Sequence, residues 1–233
     1  MENPTYHLTA EETQQIQYTF MNKVYSWMSF ALAITGLVAY LTFTSPILSS
    51  LILGNPIMMY GVIFAEVGIV IYLSSRIQRM EIQTALGWFL LYSGLNGLTL
   101  SALFFVYTLT SIASTFFITA ATFATMSLYG YTTKRDLTKL GSFLIMGLIG
   151  VFIATVVNWF LANEMLFWII SYAGVLVFIG LTAWDTQKLK KMSVELADKP
   201  ELKQRAALMG ALTLYLDFIN LFIFLLSILG NRK

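Results

Sequence analysis

The chain has 233 residues, of which 58% are hydrophobic and only 11% are charged, and its formal net charge is +2. This composition is typical of an integral membrane protein and excludes an ordinary soluble domain with a charged surface. The lack of cysteine excludes disulfides, thiolate catalysis and cysteine-bound metal clusters.

Seven apolar stretches follow one another along the chain, and each is long enough to cross a bilayer as a helix, which takes about 20 residues. They predict an all-α integral membrane protein with one seven-helix domain at 24–233. The polar segment at 1–23 lacks the basic start and short apolar core of a cleavable signal peptide. The predicted spans are 24–44, 57–75, 85–107, 110–131, 140–162, 165–184 and 208–229.

Lysine and arginine are concentrated in the connections after the second, fourth and sixth spans, and the other three connections carry none. Because cytoplasmic loops are enriched in these residues, the N-terminus is predicted to be cytoplasmic and the C-terminus to lie outside. Arg232 and Lys233 fit this orientation poorly. A final span that does not fully cross therefore stays open as an alternative.

Three acids fall within or at the end of predicted spans: Glu66, Asp185 and Asp217. A charge at the centre of a span costs at least about 2.5 kcal/mol, so such residues usually have a partner or a function. Asp217 lies about 13 Å beyond Leu208, on a helix antiparallel to the one that carries Asp185. If the two carboxyls meet, they cannot both be ionised comfortably and should hold one proton between them. We predict a proton-sensitive element there.

Simpler interpretations remain for some of these residues. Asp185 could cap its helix or pair with Lys188 at the membrane interface. Glu66 could be a protonated carboxyl that is hydrogen-bonded to its neighbours. Arg76, at the end of the second span, could be a topological anchor or could reach Asp185. Asp217 is harder to explain in this way, because no loop is near and its span carries no lysine or arginine.

Several membrane chemistries lack the residues they need. The single histidine is His7, in the polar segment, and no lysine lies in a predicted span. These facts exclude a Ser/His protease, a histidine-bound haem or zinc within the bundle, and a retinal Schiff base. We therefore expect no enzyme activity and no bound cofactor. The basic stretch at 186–205 is interpreted as a loop that fixes the topology, and no nucleic-acid partner is expected.

Three stretches together resemble one known family: SLYGYTTKRDL at 127–137, AWDTQKL at 183–189 and ALTLYLDFINLFIFLLSILG at 211–230. They are similar to the transmembrane Bax-inhibitor-motif (Bax inhibitor-1) family, in its bacterial inner-membrane branch. The resemblance implies a location in the bacterial inner membrane. It also implies a fold in which the seventh helix is central and is wrapped by the other six.

The same resemblance implies a calcium leak that is governed by protons on two aspartates, which fall on Asp185 and Asp217. Both would be candidate Ca²⁺ ligands, with calcium as the transported ion. It also implies a latch to an arginine at the end of the second helix. Arg76 is the nearest candidate and Arg79 an alternative. Glu66 matches a buried acid of the family that would help to attract cations.

Two functions from different classes are therefore considered, and the first is preferred. The first is a pH-sensitive calcium or cation leak channel, whose partners are the lipid bilayer, calcium and protons. The second is a non-conducting regulator that binds another inner-membrane protein, such as a quality-control protease, through residues 1–23. A proton-coupled transporter ranks lower, because only Glu66, Asn96 and Asn220 would be polar candidates at mid-membrane.

Overall fold

The computed structural model describes residues 9–233, which form nine helices and no sheet. Eight of these helices build seven spans that are long and apolar enough to cross a membrane, because α4 and α5 together form one span. The helices are α1 (Ala10–Thr44), α2 (Pro46–Ile52), α3 (Pro56–Arg76), α4 (Ile82–Leu100), α5 (Leu103–Val106), α6 (Leu109–Thr132), α7 (Thr138–Leu161), α8 (Glu164–Glu195) and α9 (Pro200–Leu229). The prediction of an all-α membrane protein with seven spans is confirmed.

Three helices extend well beyond the predicted spans. α1 begins at Ala10, where Thr9 accepts a bond from the Glu12 N–H and Glu12 bonds back to Thr9 in a capping box. Most of the predicted polar segment at 1–23 is therefore helical, and residues 1–8 lie outside the described part. The interpretation of 186–205 as a loop was wrong. α8 continues to Glu195 and α9 starts at Pro200, because lysine, glutamate and leucine favour helix.

The breaks after the third and fifth predicted spans have clear local causes. After α5, the Thr108 side chain accepts a bond from the Ser111 N–H and so caps α6. After α7, Ala162 adopts a left-handed conformation with φ of 46°. Asn163 then caps α8 through a 2.9 Å bond from the Leu166 N–H. These caps satisfy backbone groups that would otherwise be unpaired.

α9 is the most buried of the seven spans. Its main neighbours are α8, α1, α6 and α4, and Tyr215, Leu214 and Leu221 are fully buried between them. Four of the six other spans thus surround α9. Wrapping by all six stays a prediction. α3 and α7 lie farther out and expose many apolar side chains, as expected for lipid-facing helices.

α6 and α7 approach α8 very closely around Asp185. A Cβ atom on Gly130 of α6 would collide with the backbone of Ala183, and a Cβ on Gly141 of α7 would collide with the Trp184 ring. Small residues at such points let transmembrane helices pack with their backbones near contact. The α8 turn that carries Asp185 is therefore tightly held.

The C-terminal tail lies at the opposite end of the bundle from the basic connections. The Asn231 carbonyl accepts a bond from the Thr108 N–H, and the Lys233 N–H donates to the Val106 carbonyl. Arg232 and Lys233 stand over the rings of Phe167 and Phe43. α9 thus passes through the whole bundle. At that end the Lys233 ammonium group also donates a 2.7 Å bond to the Phe104 carbonyl.

Candidate functional site

The aspartate pair forms where α8 and α9 lie antiparallel. This is the most extensive helix contact in the bundle. Asp185 and Asp217 are 7% and 5% exposed, so both carboxyls are withdrawn from solvent and lipid. The structure brings together the two residues that the sequence singled out.

The two carboxyl groups lie within hydrogen-bonding range of each other. A carboxylate can only accept, so a bond between two carboxyls needs a proton on one of them. The Oδ2 atom of Asp217 is buried and has no hydrogen-bond partner among residues 9–233. Two ionised carboxylates side by side would repel each other, so a direct bond between Asp185 and Asp217 would need one proton.

Lys188, three residues after Asp185 on α8, is the cation that the sequence analysis considered as its partner. Its ammonium group lies 5.0 Å from the centre of the Trp184 ring, and it forms no ion pair with Asp185 within the described chain. The interfacial pairing considered for Asp185 is thus not formed. The buried carboxyl faces Asp217 instead.

The structure does not bring Arg76 to the aspartate pair. Arg76 is the exposed last residue of α3, and its side chain makes no hydrogen bond or ion pair within residues 9–233. The arginine that ties α9 to the end of α3 is Arg205, which donates a 2.8 Å bond to the Gln78 carbonyl. The latch role of Arg76, or of Arg79, stays a prediction.

A chain of three hydroxyl groups passes beside the pair and joins three helices. Tyr25 of α1 bonds to Ser127 of α6, and Ser127 bonds to Thr186 of α8 at 2.8 Å. Thr186 directly follows Asp185. The sequence analysis missed this chain, although Thr186 belongs to the motif AWDTQKL and Ser127 begins the motif SLYGYTTKRDL.

Glu66 occupies a separate site between α3 and α4. Thr99 donates a 2.9 Å bond to one carboxyl oxygen, and the Asn96 amide donates a 3.4 Å bond to the other. This is the hydrogen-bonded arrangement that the sequence analysis considered as one alternative. Asn220 does not join it, because its amide bonds to the Leu216 carbonyl of its own helix.

A second network that the sequence analysis missed lies at the centre of the bundle. The Thr35 and Tyr215 hydroxyls bond to each other at 2.7 Å, and Thr35 also donates to the Ser93 carbonyl. Tyr215 lies against the edge of the Tyr92 ring. This network joins α1, α4 and α9 two residues before Asp217.

The described residues contain no group of three or more His, Cys, Asp or Glu side chains that could hold a metal ion. Ca²⁺ takes six to eight oxygen ligands, and the aspartate pair supplies only part of such a shell. The role of Asp185 and Asp217 as Ca²⁺ ligands stays a prediction.

A family model described as "Inhibitor of apoptosis-promoting Bax1" matches residues 17–233. The chain belongs to the Bax inhibitor family. This match confirms the resemblance read from the three motifs. Membership in the Bax inhibitor family, together with seven apolar helices, makes the chain a multi-pass membrane protein.

This member of the Bax inhibitor family has similar relatives in several bacteria. It is 49% identical over 217 residues to the "Inner membrane protein YbhL" of Escherichia coli K12, with 92% of each chain covered. It is 48% identical to the protein RP147 of Rickettsia prowazekii, covering 92% of this chain and 90% of that one. It is 38% identical to a membrane protein of Streptococcus pyogenes serotype M1, covering 91% and 93%.

Proposed function

We propose that this protein is a pH-sensitive leak channel for calcium or similar cations in the bacterial inner membrane, with its N-terminus in the cytoplasm. The observation that carries the proposal is the buried pair of carboxyls that face each other between α8 and α9. The name of the E. coli relative supports the location. The basic connections at one end of the bundle support the orientation.

The pair would control the leak through its charge. With one shared proton it is singly negative, links α8 to α9 and attracts a cation such as the Arg76 guanidinium. A second proton removes that negative charge and releases the arginine, which loosens the helices at the cytoplasmic end.

Calcium would compete with protons for the same oxygens, since Ca²⁺ is a hard cation that prefers carboxylate ligands. Glu66 would add negative charge on the α3 and α4 side and raise the local concentration of cations. No enzymatic step or resident cofactor is part of this scheme.

The test is calcium flux into dye-loaded liposomes that contain the purified full chain, stepped from mildly alkaline to mildly acidic pH. Flux should rise with acid, and Asp185→Asn and Asp217→Asn should each remove that rise. Asp198→Asn is the matched control, because Asp198 is an exposed carboxyl in the turn between α8 and α9.

Two results would decide against the proposal. An Asp217→Asn protein with the parent's flux and pH profile would rule out the pair as the sensor. No flux above empty liposomes at any pH would favour the regulator of another membrane protein. That rival has lost part of its free contact element, since Phe20 and Met21 are buried in the bundle.

A further inference from the structure

A long apolar groove runs between α1 and α6. These two helices each pack against α8 and α9, and the groove of about 980 Å³ lies between them. Leu37 and Leu128 on its rims are 59% and 63% exposed, so it opens sideways to the membrane. Its lining includes Tyr25, Met28, Gly36, Ala120, Phe123 and Phe218.

The groove is long enough for the acyl chains of one leaflet. Along α1 it extends from Tyr18 to Leu37, which is about 28 Å at the rise of a helix. Half of a hydrocarbon core is about 15 Å thick. Its walls are apolar except near one end, where Tyr25 and Ser127 bond to each other.

A basic pocket of about 270 Å³ lies at that end of the groove. Tyr131 lines the groove, and its ring lies 4.7 Å from the ammonium group of Lys190, which lines the pocket. The charged residues that line the pocket are Lys134, Arg135, Asp136, Lys190 and Lys191. Four cations therefore face one acid.

The pocket is held in shape by a buried side chain. Gln187 of α8 accepts a 2.9 Å bond from the Leu137 N–H and donates a 2.8 Å bond to the Arg135 carbonyl. Asp136 is already engaged by Lys191 at 2.9 Å, whereas Lys134 and Arg135 form no ion pair within residues 9–233. The pocket thus presents uncompensated positive charge on a fixed loop.

We propose that the groove and the basic pocket form one binding site for an anionic phospholipid of the surrounding membrane. The phosphate would lie among Lys134, Arg135 and Lys190, and an acyl chain would lie along α1 and α6. Basic pockets at the ends of membrane helices attract anionic headgroups. The charge at one end favours a lipid over an apolar partner helix. This site does not depend on whether the chain conducts cations.

The test uses the lipid-stripped full chain in a neutral detergent. It is titrated separately with dioleoyl phosphatidylglycerol and dioleoyl phosphatidylcholine, and bound lipid is counted by native mass spectrometry. We expect one phosphatidylglycerol to bind preferentially. Lys134→Gln with Arg135→Gln should reduce that preference by about tenfold. Lys199→Gln with Lys203→Gln is the charge-matched control and should keep it, because neither residue lines either cavity.

A second arm tests the apolar part of the site. A Cβ on Gly36 meets nothing within 4 Å, so Gly36→Trp should fill the groove and reduce retention of both lipids. Gly150→Trp on α7 is the control, since that glycine also faces open space but lies outside the groove. If Gly36→Trp fails to fold, Ala33→Leu in the same groove tests the same point.

Any one of the following results would overturn the proposal. They are equal binding of the two lipids by the parent, an unchanged preference in the Lys134 and Arg135 variant, or a groove variant that retains lipid as well as its control. A polypeptide that co-purifies and is displaced by Gly36→Trp, with no lipid bound, would assign the groove to a protein partner and would also refute the lipid site.

Discussion

The aspartate pair and the Glu66 site hold the same functional group inside one bundle in different ways. Glu66 accepts bonds from two neutral donors, Thr99 and Asn96. The carboxyls of Asp185 and Asp217 face each other, and one oxygen of Asp217 has no partner within the described residues. Neutral donors can satisfy a carboxyl without a shared proton, whereas a bond between two carboxyls requires one. A direct bond within the pair therefore needs a proton, whereas the bonds to Glu66 do not.

The two sites also differ in how tightly their surroundings are packed. Near the pair, Gly130 brings α6 against the backbone of Ala183. Near Glu66, Gly68 faces open space. The pair is thus fixed by close helix contacts on the α6 and α8 side, and Glu66 lies on a helix with room beside it.

The largest contrast should come from removing the charge at each site. We expect Asp217→Asn to abolish the pH dependence of calcium flux. Glu66→Gln should lower flux by about tenfold at low salt at every pH, because it removes an attractive charge but not the sensor. Flux into liposomes over the same pH range measures both. The distinction fails if Glu66→Gln alone abolishes the pH dependence.

Adding one methyl group near each site should show how tightly the helices pack there. Gly130→Ala forces α6 away from α8, and overpacking of this kind costs about 1–3 kcal/mol. Gly68→Ala should be neutral or should stabilise α3 by up to about 1 kcal/mol through helix propensity. Thermal unfolding in detergent compares the two proteins. Similar unfolding temperatures would contradict the close contact at Gly130.

The hydrogen bond from Thr99 to Glu66 can be tested by itself. Thr99→Val keeps the shape of the side chain but removes a hydrogen bond, which should lower the free energy of unfolding by about 1 kcal/mol. Thr125→Val is the control, since the Thr125 hydroxyl bonds only to the Ala121 carbonyl of its own helix. An equal effect of both changes would show that the Thr99 bond adds nothing.

The smallest effect is expected outside the membrane, at Asp136. Bonds from Lys191 and Thr138 lower the pKa of Asp136 from 3.8 to about 2. A lowered pKa means that the carboxylate stabilises the fold above its ordinary pKa, and that this contribution is lost as the pH falls toward 2. Asp136→Asn should therefore leave the flux profile between mildly alkaline and mildly acidic pH unchanged. A shifted profile would place part of the sensor in this loop.

Much of the architecture follows from the sequence. The seven spans, the meeting of α8 with α9 and the burial of Asp185 and Asp217 all come from apolar length and antiparallel order. The breaks at Ala162 and Thr108 were correctly placed within a few residues, although their caps were not predicted. Apolar runs set where a helix must be in the membrane, but they do not set where it ends in water, so the extensions of α1, α8 and α9 were missed.

The hydrogen-bond networks could not be predicted in the same way. Ser127 joins two other helices, whereas Thr119 on the same helix bonds to its own Thr115 carbonyl. Both residues carry a hydroxyl group in an apolar helix. Which of them bonds to another helix depends on how the neighbouring helices are rotated, and the sequence does not show that rotation. The sequence analysis also missed the bond made by Arg205. Arg76 and Arg79 lie at the end of the second span, and position along the chain does not show which arginine side chain reaches another helix.

α9 is anchored at both of its ends. At one end Arg205 bonds to the Gln78 carbonyl, and at the other the tail bonds to Val106, Thr108 and Ser111. Sliding of α9 along its own axis would break both sets of bonds together. Because both ends of α9 are held, its middle turns, which carry Asp217, have the most freedom to move sideways. Separation of the two carboxyls would therefore be a sideways bow of α9, with its ends in place.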